Sequence, residues 1–197
     1  MTENIYHRYL NLPFEITRPD ILMPPYPDDY MHYEMKSHFD LMFSKFFRKL
    51  GIQNGNIEAF YTPPGGEIPI HCDESTLDNH VKINVTWGPE EGRTRWWDCG
   101  HVTKPESAQA IVDEFKGASA AYRQADCLRG TPETCTLLYE ASTNRPSLVN
   151  VGQMHSTYNP SKTEGRWTLC YVPRLKTRDY IYWHEAMHIF KDFIVEE

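Results

Sequence analysis

Short segments in which apolar and polar residues alternate, separated by turns, occupy most of the chain after Gly55. In the clearest of them, 81–87, Val, Ile, Val and Trp alternate with Lys, Asn and Thr, which is the period of a β-strand. Strands are predicted at 57–62, 68–73, 80–87, 94–98, 133–141, 147–151 and 166–172. So many short strands favour a β-barrel or a β-sandwich, and the residue pattern does not separate the two.

Helices are predicted at both ends of the chain. From Asp28 or Asp29 to Leu50, aromatic and Met residues recur at helical spacing, and Gly51 offers a stop. Residues 180–195 form the second predicted helix. A third, short helix is predicted at 107–116, within an insertion at 105–130 that interrupts the strands.

A length of 197 residues fits one domain. We divide it into a supporting segment (1–55), a β core (56–175) and a C-terminal helix (176–197). The first segment is punctuated by prolines and is predicted to wrap the core as extended chain. The 12 Tyr, 9 Phe and 5 Trp suit a β-rich fold with a pocket lined by rings.

The net charge of −7 disfavours a protein whose task is to grip a nucleic-acid backbone, and 174–178 is the one obvious basic cluster. No apolar run approaches the roughly 20 residues of a membrane span, and the N-terminus lacks the pattern of a secretion signal. The five cysteines are scattered and form no C-x-x-C pair, so we expect free thiols in a reducing compartment and a cytoplasmic protein.

The sequence His71-Cys72-Asp73, followed much later by His155, supplies two imidazoles and one carboxylate. This is the ligand set of mononuclear non-haem Fe(II) sites, which leave positions open for a co-substrate and dioxygen. Side chains two apart in a strand share a side, so His71 and Asp73 converge if the strand extends that far, and Cys72 points away. We expect His155 to complete the triad from the end of the strand at 147–151.

Arg166 lies eleven positions after His155 and shares a strand face with Thr168. A guanidinium beside a hydroxyl can bind a carboxylate through charge-assisted hydrogen bonds, and Arg is favoured over Lys where the contact is bidentate. These residues predict an oxygenase that consumes a dicarboxylic co-substrate, 2-oxoglutarate.

These motifs, in this order, resemble those of the Fe(II)- and 2-oxoglutarate-dependent dioxygenase superfamily. The chain is similar to the prolyl-hydroxylase-like and the small bacterial or phage-type members. The matching stretches span most of the domain, from about 57 to 173, and are 60–73 with its H-x-D, 151–155 with the second histidine, and 165–172 with Arg-Trp-Thr.

The resemblance implies a double-stranded β-helix (a jelly-roll, cupin-like core) with ferrous iron at its mouth. His71, Asp73 and His155 would bind the iron, and Arg166 would bind the distal carboxylate of 2-oxoglutarate with help from Thr168. Tyr61 and Asn84 fall where members place polar contacts to the co-substrate. The apolar faces of 81–87 and 166–172 would line the barrel.

The implied activity is oxidative decarboxylation of 2-oxoglutarate to succinate and carbon dioxide, coupled to hydroxylation by dioxygen. The substrate would be an amino-acid side chain, free or peptidyl and including prolyl, or another small molecule; ascorbate is a candidate reductant. Arg95, Trp96, Trp97 and Asp98 are candidates for the substrate pocket, with a buried Trp pair and a solvated charged rim as an equal alternative.

Two other functions share parts of this pattern. A nucleic-acid base oxidase or demethylase would use the same chemistry, but the acidic balance disfavours it. A barrel that binds metal without catalysis would keep the ligands and consume no dioxygen. The substrate and the oligomeric state cannot be read from the residues.

His184-Glu-Ala-Met-His188 spells the H-E-x-x-H pair of zinc peptidases. Only nine residues follow His188, so a third ligand on a later element is hardly available, and an apolar stripe predicts that this helix packs on the core. We therefore disfavour the peptidase interpretation. His80 and His101 have no partner at ligand spacing.

Overall fold

Ten β-strands form the framework of the part of the chain that the computed structural model describes, residues 4–19, 22, 30–35, 41–104, 127–178 and 180–195. In chain order they are β1 (His7–Tyr9), β2 (Met31–Met35), β3 (Gln53–Thr62), β4 (Glu67–His71), β5 (Val81–Trp87), β6 (Arg93–Cys99), β7 (Cys135–Ala141), β8 (Ser147–Asn150), β9 (His155–Tyr158) and β10 (Arg166–Arg174). The helices are α1 (Leu41–Lys49) and α2 (Trp183–Ile189), and a 3-10 turn follows at Lys191–Phe193.

The strands form two antiparallel sheets. The larger has the order β1-β8-β5-β10-β3-β2 and the smaller has the order β4-β9-β6-β7. From β3 onward the chain passes back and forth between them, so that β3, β5, β8 and β10 lie in one sheet and β4, β6, β7 and β9 in the other. These eight strands have the connectivity of a double-sheet jelly roll. The predicted fold class, a double-stranded β-helix with flanking helices, is confirmed.

The predicted strands are found with shifted ends. The shift that matters most for the candidate metal site is in β4, which was predicted to end at Asp73. It ends at His71, so Asp73 follows the strand instead of belonging to it. The N-terminal segment is extended as expected, and its residues 7–9 pair with β8 as an added edge strand.

The predicted helix from 28 or 29 to 50 is wrong in its first half. Residues 31–35 form β2, which pairs with β3, and the helix begins at Leu41. The sequence Met-His-Tyr-Glu-Met fits a strand as well as a helix, and the open edge of β3 supplies hydrogen-bond partners that favour the strand. The C-terminal helix is also shorter than predicted. The predicted helix at 107–116 lies outside the described residues.

The apolar core lies on the outer side of the larger sheet, between the sheet and the helices. Val81, Ile83 and Val85 are buried there with Phe43 and Phe47 of α1. This corrects the expectation that the apolar face of 81–87 lines the barrel. The same applies to 166–172, because Trp167, Leu169 and Tyr171 also belong to this outer core. The polar residues of both strands therefore face the interior between the sheets, where they are available for a site.

Cys99 and Cys135 form a disulfide between β6 and β7, whereas free thiols were expected throughout. The two residues are direct partners in the antiparallel register, a proximity that spacing in the sequence does not reveal. Cys72, Cys127 and Cys170 are free and buried. The expected reducing compartment thus loses part of its support. Within the described ranges, no helix is long and apolar enough to cross a membrane.

Candidate metal centre and co-substrate pocket

Strand pairing brings the predicted metal ligands together. His71 ends β4, His155 begins β9, and the two are direct partners across the smaller sheet. The Nε2 atoms of His71 and His155 lie 3.2 Å and 3.5 Å from Oδ1 of Asp73, and the potential ligand atoms of all three lie within 4.8 Å of one another. Two imidazole nitrogens and one carboxylate oxygen thus point to a common centre, as a metal ion requires.

Backbone carbonyls orient both imidazoles. Nδ1 of His71 donates to the carbonyl of Pro69 at 2.8 Å, and Nδ1 of His155 donates to that of Gln153 at 2.9 Å. These bonds place the proton on Nδ1 and leave the Nε2 lone pair for a metal, as in known histidine sites. Burial, followed by the neighbouring His71, lowers the pKa of His155 to about 3, so its ring is neutral and ready to coordinate.

Lys82 is a residue of the candidate site that the sequence analysis missed. Its Nζ lies 2.7 Å from Oδ2 of Asp73 and 2.8 Å from Oε2 of Glu58, on the inner face of β5. The ammonium occupies one oxygen of Asp73 and leaves the other, Oδ1, facing the two histidines. A lysine in the polar half of an alternating strand was the available signal, but it is also typical of a solvated face.

The ion pairs of Lys82 with Asp73 and Glu58 keep the side chains of Lys82 and Asp73 charged. Burial would raise the pKa of the Asp73 carboxyl, but Lys82 and then the two imidazoles hold it well below its usual range. Burial would lower the pKa of Lys82, but Asp73 and Glu58 hold it well above its usual range. The carboxylate is therefore deprotonated, the form that binds a metal.

Arg166 is buried and has no carboxylate within ion-pairing distance in the part of the chain that is described. It is 1% exposed; its Nη2 donates to Oγ1 of Thr143 at 2.9 Å, and its Nη1 has no hydrogen-bond partner among the described residues. Burial lowers the pKa of Arg166 to about 10, which still leaves a cation at neutral pH. A buried cation of this kind is chemically suited to bind an anion.

Small residues in the turn before β6 make room for Arg166. A Cβ added to Gly92 would lie 2.9 Å from Cδ and Nε of the arginine, and one on Gly88 would lie 3.0 Å from its Cα. Gly88 also has a φ of +135°, which other residues rarely adopt. The backbone of this turn therefore packs directly against the arginine.

A cavity of about 50 Å³ lies against the triad, between the sheets. It is lined by His71, Asp73 and His155 together with Lys82 and Asn84 of β5 and Thr168 and Cys170 of β10. Cys170 pairs with Asn84, and Thr168 pairs with Thr86. The inner face of β10 thus leads from the triad through Thr168 to Arg166, and Oδ1 of Asn84 is buried without a partner among the described residues.

Tyr61 is not brought into this cavity. It is buried in the outer core, with its ring 5.1 Å from that of Trp167. In β3 it lies on the opposite face from Phe60, which does line the cavity. The placement of Tyr61 is thus that of a packing residue.

Among the candidates at 95–98, Trp96 is the direct strand partner of His155 in the register of β6 and β9. Trp96 is fully buried in a separate apolar cluster, and Nε1 of Trp97 donates to Oγ of Ser156 at 3.0 Å. Arg95 pairs with Glu140 and lies over the ring of Tyr158, and Asp98 is exposed. None of the four is among the described residues that line the cavities beside the triad. Their placement is therefore that of a buried Trp96 and a half-buried Trp97 with a charged rim.

The H-E-x-x-H sequence of α2 does not form a peptidase site. The carboxylate of Glu185 accepts hydrogen bonds from Arg178 at 2.5 Å and 2.6 Å and from the backbone N–H of Tyr182 at 2.9 Å. His184 and His188 are exposed. With its carboxylate committed to a helix cap and an ion pair, Glu185 is not placed as a general base.

His80 and His101, for which the sequence analysis found no partner, differ in their burial. His80 is fully buried, and its Nδ1 bonds Oδ1 of Asp78 at 2.5 Å, a partner that the sequence analysis did not identify. His101 is exposed, and its backbone carbonyl accepts from Thr134 at 3.5 Å.

No protein-family model matches the sequence, and no curated protein matches it either. Among solved structures, EvdO2 from Micromonospora carbonacea var. aurantiaca complexed with 2-oxoglutarate aligns with a TM-score of 0.41 and 13% identity, over 75% of this chain and 71% of that one. HygX from Streptomyces hygroscopicus with nickel and 2-oxoglutarate bound aligns with a TM-score of 0.42 and 13% identity, over 80% of this chain and 74% of that one. A Pseudomonas putida prolyl-4-hydroxylase aligns with a TM-score of 0.38 and 11% identity, over 75% of this chain and 72% of that one.

Two of these structures hold 2-oxoglutarate, and the third is a prolyl-4-hydroxylase. At such TM-scores and identities the alignments assign no activity to this chain. Its double-stranded β-helix is established by its own strand order.

Proposed function

We propose that this protein is an Fe(II)- and 2-oxoglutarate-dependent oxygenase of the superfamily that its sequence resembles. His71, Asp73 and His155 would hold the iron, and Arg166 with Thr168 would hold the distal carboxylate of 2-oxoglutarate. Bound together, iron and 2-oxoglutarate supply the activation of dioxygen, with release of succinate and carbon dioxide.

The observation that carries this proposal is the pairing of two complementary binding sites in one interior. A triad of two imidazoles and one carboxylate faces the cavity, and the inner face of β10 leads from it to a buried guanidinium with no carboxylate partner among the described residues. The first suits a divalent cation and the second suits a carboxylate. 2-Oxoglutarate can occupy both, because its keto-acid end chelates a metal and its other end carries a second carboxylate.

The residues of the chain have separate tasks in this function. The carbonyls of Pro69 and Gln153 fix the imidazoles, and Lys82 fixes the carboxylate of Asp73. Asn84, whose Oδ1 has no partner among the described residues, is placed for a polar contact with the co-substrate.

For the primary reaction we propose hydroxylation of a small molecule or of an amino-acid side chain. Dioxygen would be the second co-substrate, and ascorbate would serve as the reductant that keeps the iron ferrous. The acidic net charge of −7 gives no support to a nucleic-acid substrate.

The test is the conversion of 2-oxoglutarate to succinate by the full-length protein with Fe(II), ascorbate and air. We expect slow turnover in the wild type, which the enzyme carries out even without its primary substrate, and none in His155→Ala. His184→Ala, which removes an exposed histidine of α2, is the matched control and retains the wild-type rate. Equal succinate formation in His155→Ala and the wild type would contradict the proposal.

A further inference from the structure

A second cavity of about 320 Å³, the outer cavity, adjoins the metal pocket at Asp73 and Lys82. Its lining includes Glu58, Phe60, Asp73, Glu74, Lys82 and Tyr180. Phe60, Asp73 and Lys82 also line the pocket beside the triad, so the two spaces are neighbours. A molecule in the outer cavity would lie next to the metal and outside the path from the triad to Arg166.

The outer cavity carries a negative charge. Its described lining holds the three carboxylates of Glu58, Asp73 and Glu74 against the single ammonium of Lys82, a formal sum of −2 when the imidazoles are counted as neutral. A ferrous ion and a 2-oxoglutarate dianion add +2 and −2, so the sum is unchanged when both are bound. A surplus of this sign in a confined space attracts a cation.

Glu74 is the carboxylate that remains available. Lys82 is bound to Glu58 and Asp73, whereas the side-chain partner of Glu74 among the described residues is the hydroxyl of Tyr180, which donates to Oε1. The side chain of Glu74 is half-buried, and its second oxygen is left to accept a hydrogen bond.

His80 offers a second acceptor. Its ring lines the same cavity, is fully buried and lies 4.7 Å from the ring of Tyr180. Nδ1 bonds the carboxylate of Asp78, an arrangement that in the tautomer with its proton on Nδ1 makes Nε2 an acceptor, and Nε2 has no partner within the described part of the chain. A buried acceptor of this kind is open to a donor from a ligand or a water.

An ammonium or guanidinium group matches these features, because it carries a positive charge and offers N–H donors with no acceptor. The rings of Phe60 and Tyr180 in the lining are suited to the same kind of group, since aromatic faces attract cations. A neutral polyol would leave the charge unbalanced, and an anion would be repelled.

We infer that the primary substrate is a small organic cation, an amine or a guanidine, whose charged end is bound by Glu74 and His80 beside the metal. This inference rests on the proposed oxygenase function for the role of the metal, and it adds the substrate class. The remainder of the substrate would reach the triad past Phe60, the aromatic residue that lines both cavities.

The test compares two probes of similar length, 1,4-diaminobutane and 1,4-butanediol, by ligand-observed NMR titration of the full-length protein without metal. We expect the diamine to bind at least about tenfold more tightly than the diol, a modest value for a charge-assisted contact. Glu74→Gln should remove this preference. Glu15→Gln, which neutralises an exposed carboxylate of the N-terminal segment, should leave it intact.

Equal binding of the two probes by the wild type, or an unchanged preference in Glu74→Gln, would overturn the inference. If Glu74→Gln does not fold, the wild-type comparison still tests it. Metal and 2-oxoglutarate binding are measured separately on the same protein. A failure there together with a preserved diamine preference would refute the oxygenase and leave the cation site, and the reverse pattern would refute the cation site alone.

Discussion

At the scale of single residues, a lysine determines how the carboxylate ligand is presented. Lys82 holds Oδ2 of Asp73 at 2.7 Å and turns Oδ1 toward Nε2 of His71 and His155. Asp73 follows the end of β4, so the strand does not fix its side chain. The ion pair supplies the orientation that the backbone leaves open.

Replacing Lys82 by Met should therefore weaken metal binding while leaving the three ligands in place. We expect the affinity for Mn(II), measured by titration, to fall roughly 10- to 100-fold, the usual effect of removing a group that orients a ligand. Lys162→Met, at an exposed position, is the matched control. Wild-type affinity in a folded Lys82→Met protein would show that Asp73 needs no such partner.

At the scale of elements, the two faces of the larger sheet have opposite functions. The outer face is apolar and packs on α1, where the rings of Phe43 and Tyr171 stack at 3.6 Å between centroids. The inner faces of β5 and β10 are polar and carry the site. A strand pattern in the sequence shows that two faces differ, but it does not show which one lies inside, because both faces are covered.

Phe43→Ala should destabilise the fold strongly. Phe43 is fully buried, and truncation of such a residue costs about 3–5 kcal/mol in free energy of unfolding. Leu41→Ala in the same helix removes a side chain that is 62% exposed and should change this free energy by less than about 0.5 kcal/mol. Urea denaturation measures both; similar losses in the two variants would contradict the packing described here.

The strand β1 carries a histidine whose burial makes stability depend on pH. His7 is 1% exposed, its ring nitrogens have no partner among the described residues, and burial, followed by Arg8, lowers its pKa to about 4. The unfolded chain binds a proton here near pH 6.5 and the folded chain only near pH 4. Unfolding therefore takes up a proton between these values, and stability falls as the pH is lowered.

His7→Phe should remove this part of the pH dependence. Between pH 7 and pH 4, the loss of unfolding free energy should be smaller in the variant by roughly 2–3 kcal/mol. Chemical denaturation at several pH values gives the comparison. Parallel curves for the variant and the wild type would show that His7 is protonated in the folded state.

At the scale of the whole molecule, the fold brings together three residues that the order of the motifs singled out, whereas the periodicity misassigned the strand at 31–35. The distant His155 and the Arg166-x-Thr168 pair were identified because metal and carboxylate chemistry need few residue types. The strand at 31–35 was missed because its residues fit either period, and the edge of β3 decides between them.

Contacts between distant parts of the chain explain the other features of the structure that the sequence analysis did not predict. The bonds from Lys82 to Asp73 and Glu58, from His80 to Asp78 and from Cys99 to Cys135 exist only once the sheets have formed. None of them follows from local spacing, since an ion pair or a disulfide depends on register. The face of a strand that lines the interior is decided by the same long-range packing.

The Cys99–Cys135 disulfide should stabilise the molecule by closing a long loop. The two cysteines are 36 positions apart, and removal of such a bridge costs about 2–4 kcal/mol. We expect Cys99→Ala/Cys135→Ala to lose this amount of unfolding free energy. A reducing agent should have the same effect on the wild type and none on the variant. A wild type that is insensitive to reductant would argue that the bridge is absent in solution.

The most direct test of the proposed iron and 2-oxoglutarate sites is the visible absorption of the protein with Fe(II) and 2-oxoglutarate in the absence of oxygen. Chelation of iron by the keto-acid group gives a weak charge-transfer band, which we expect in the wild type at near-stoichiometric co-substrate. Arg166→Met should still bind iron but need at least about tenfold more 2-oxoglutarate, because a charge-assisted contact is lost. A wild type that binds iron without developing the band, or a variant with unchanged co-substrate affinity, would contradict the assignment of the site.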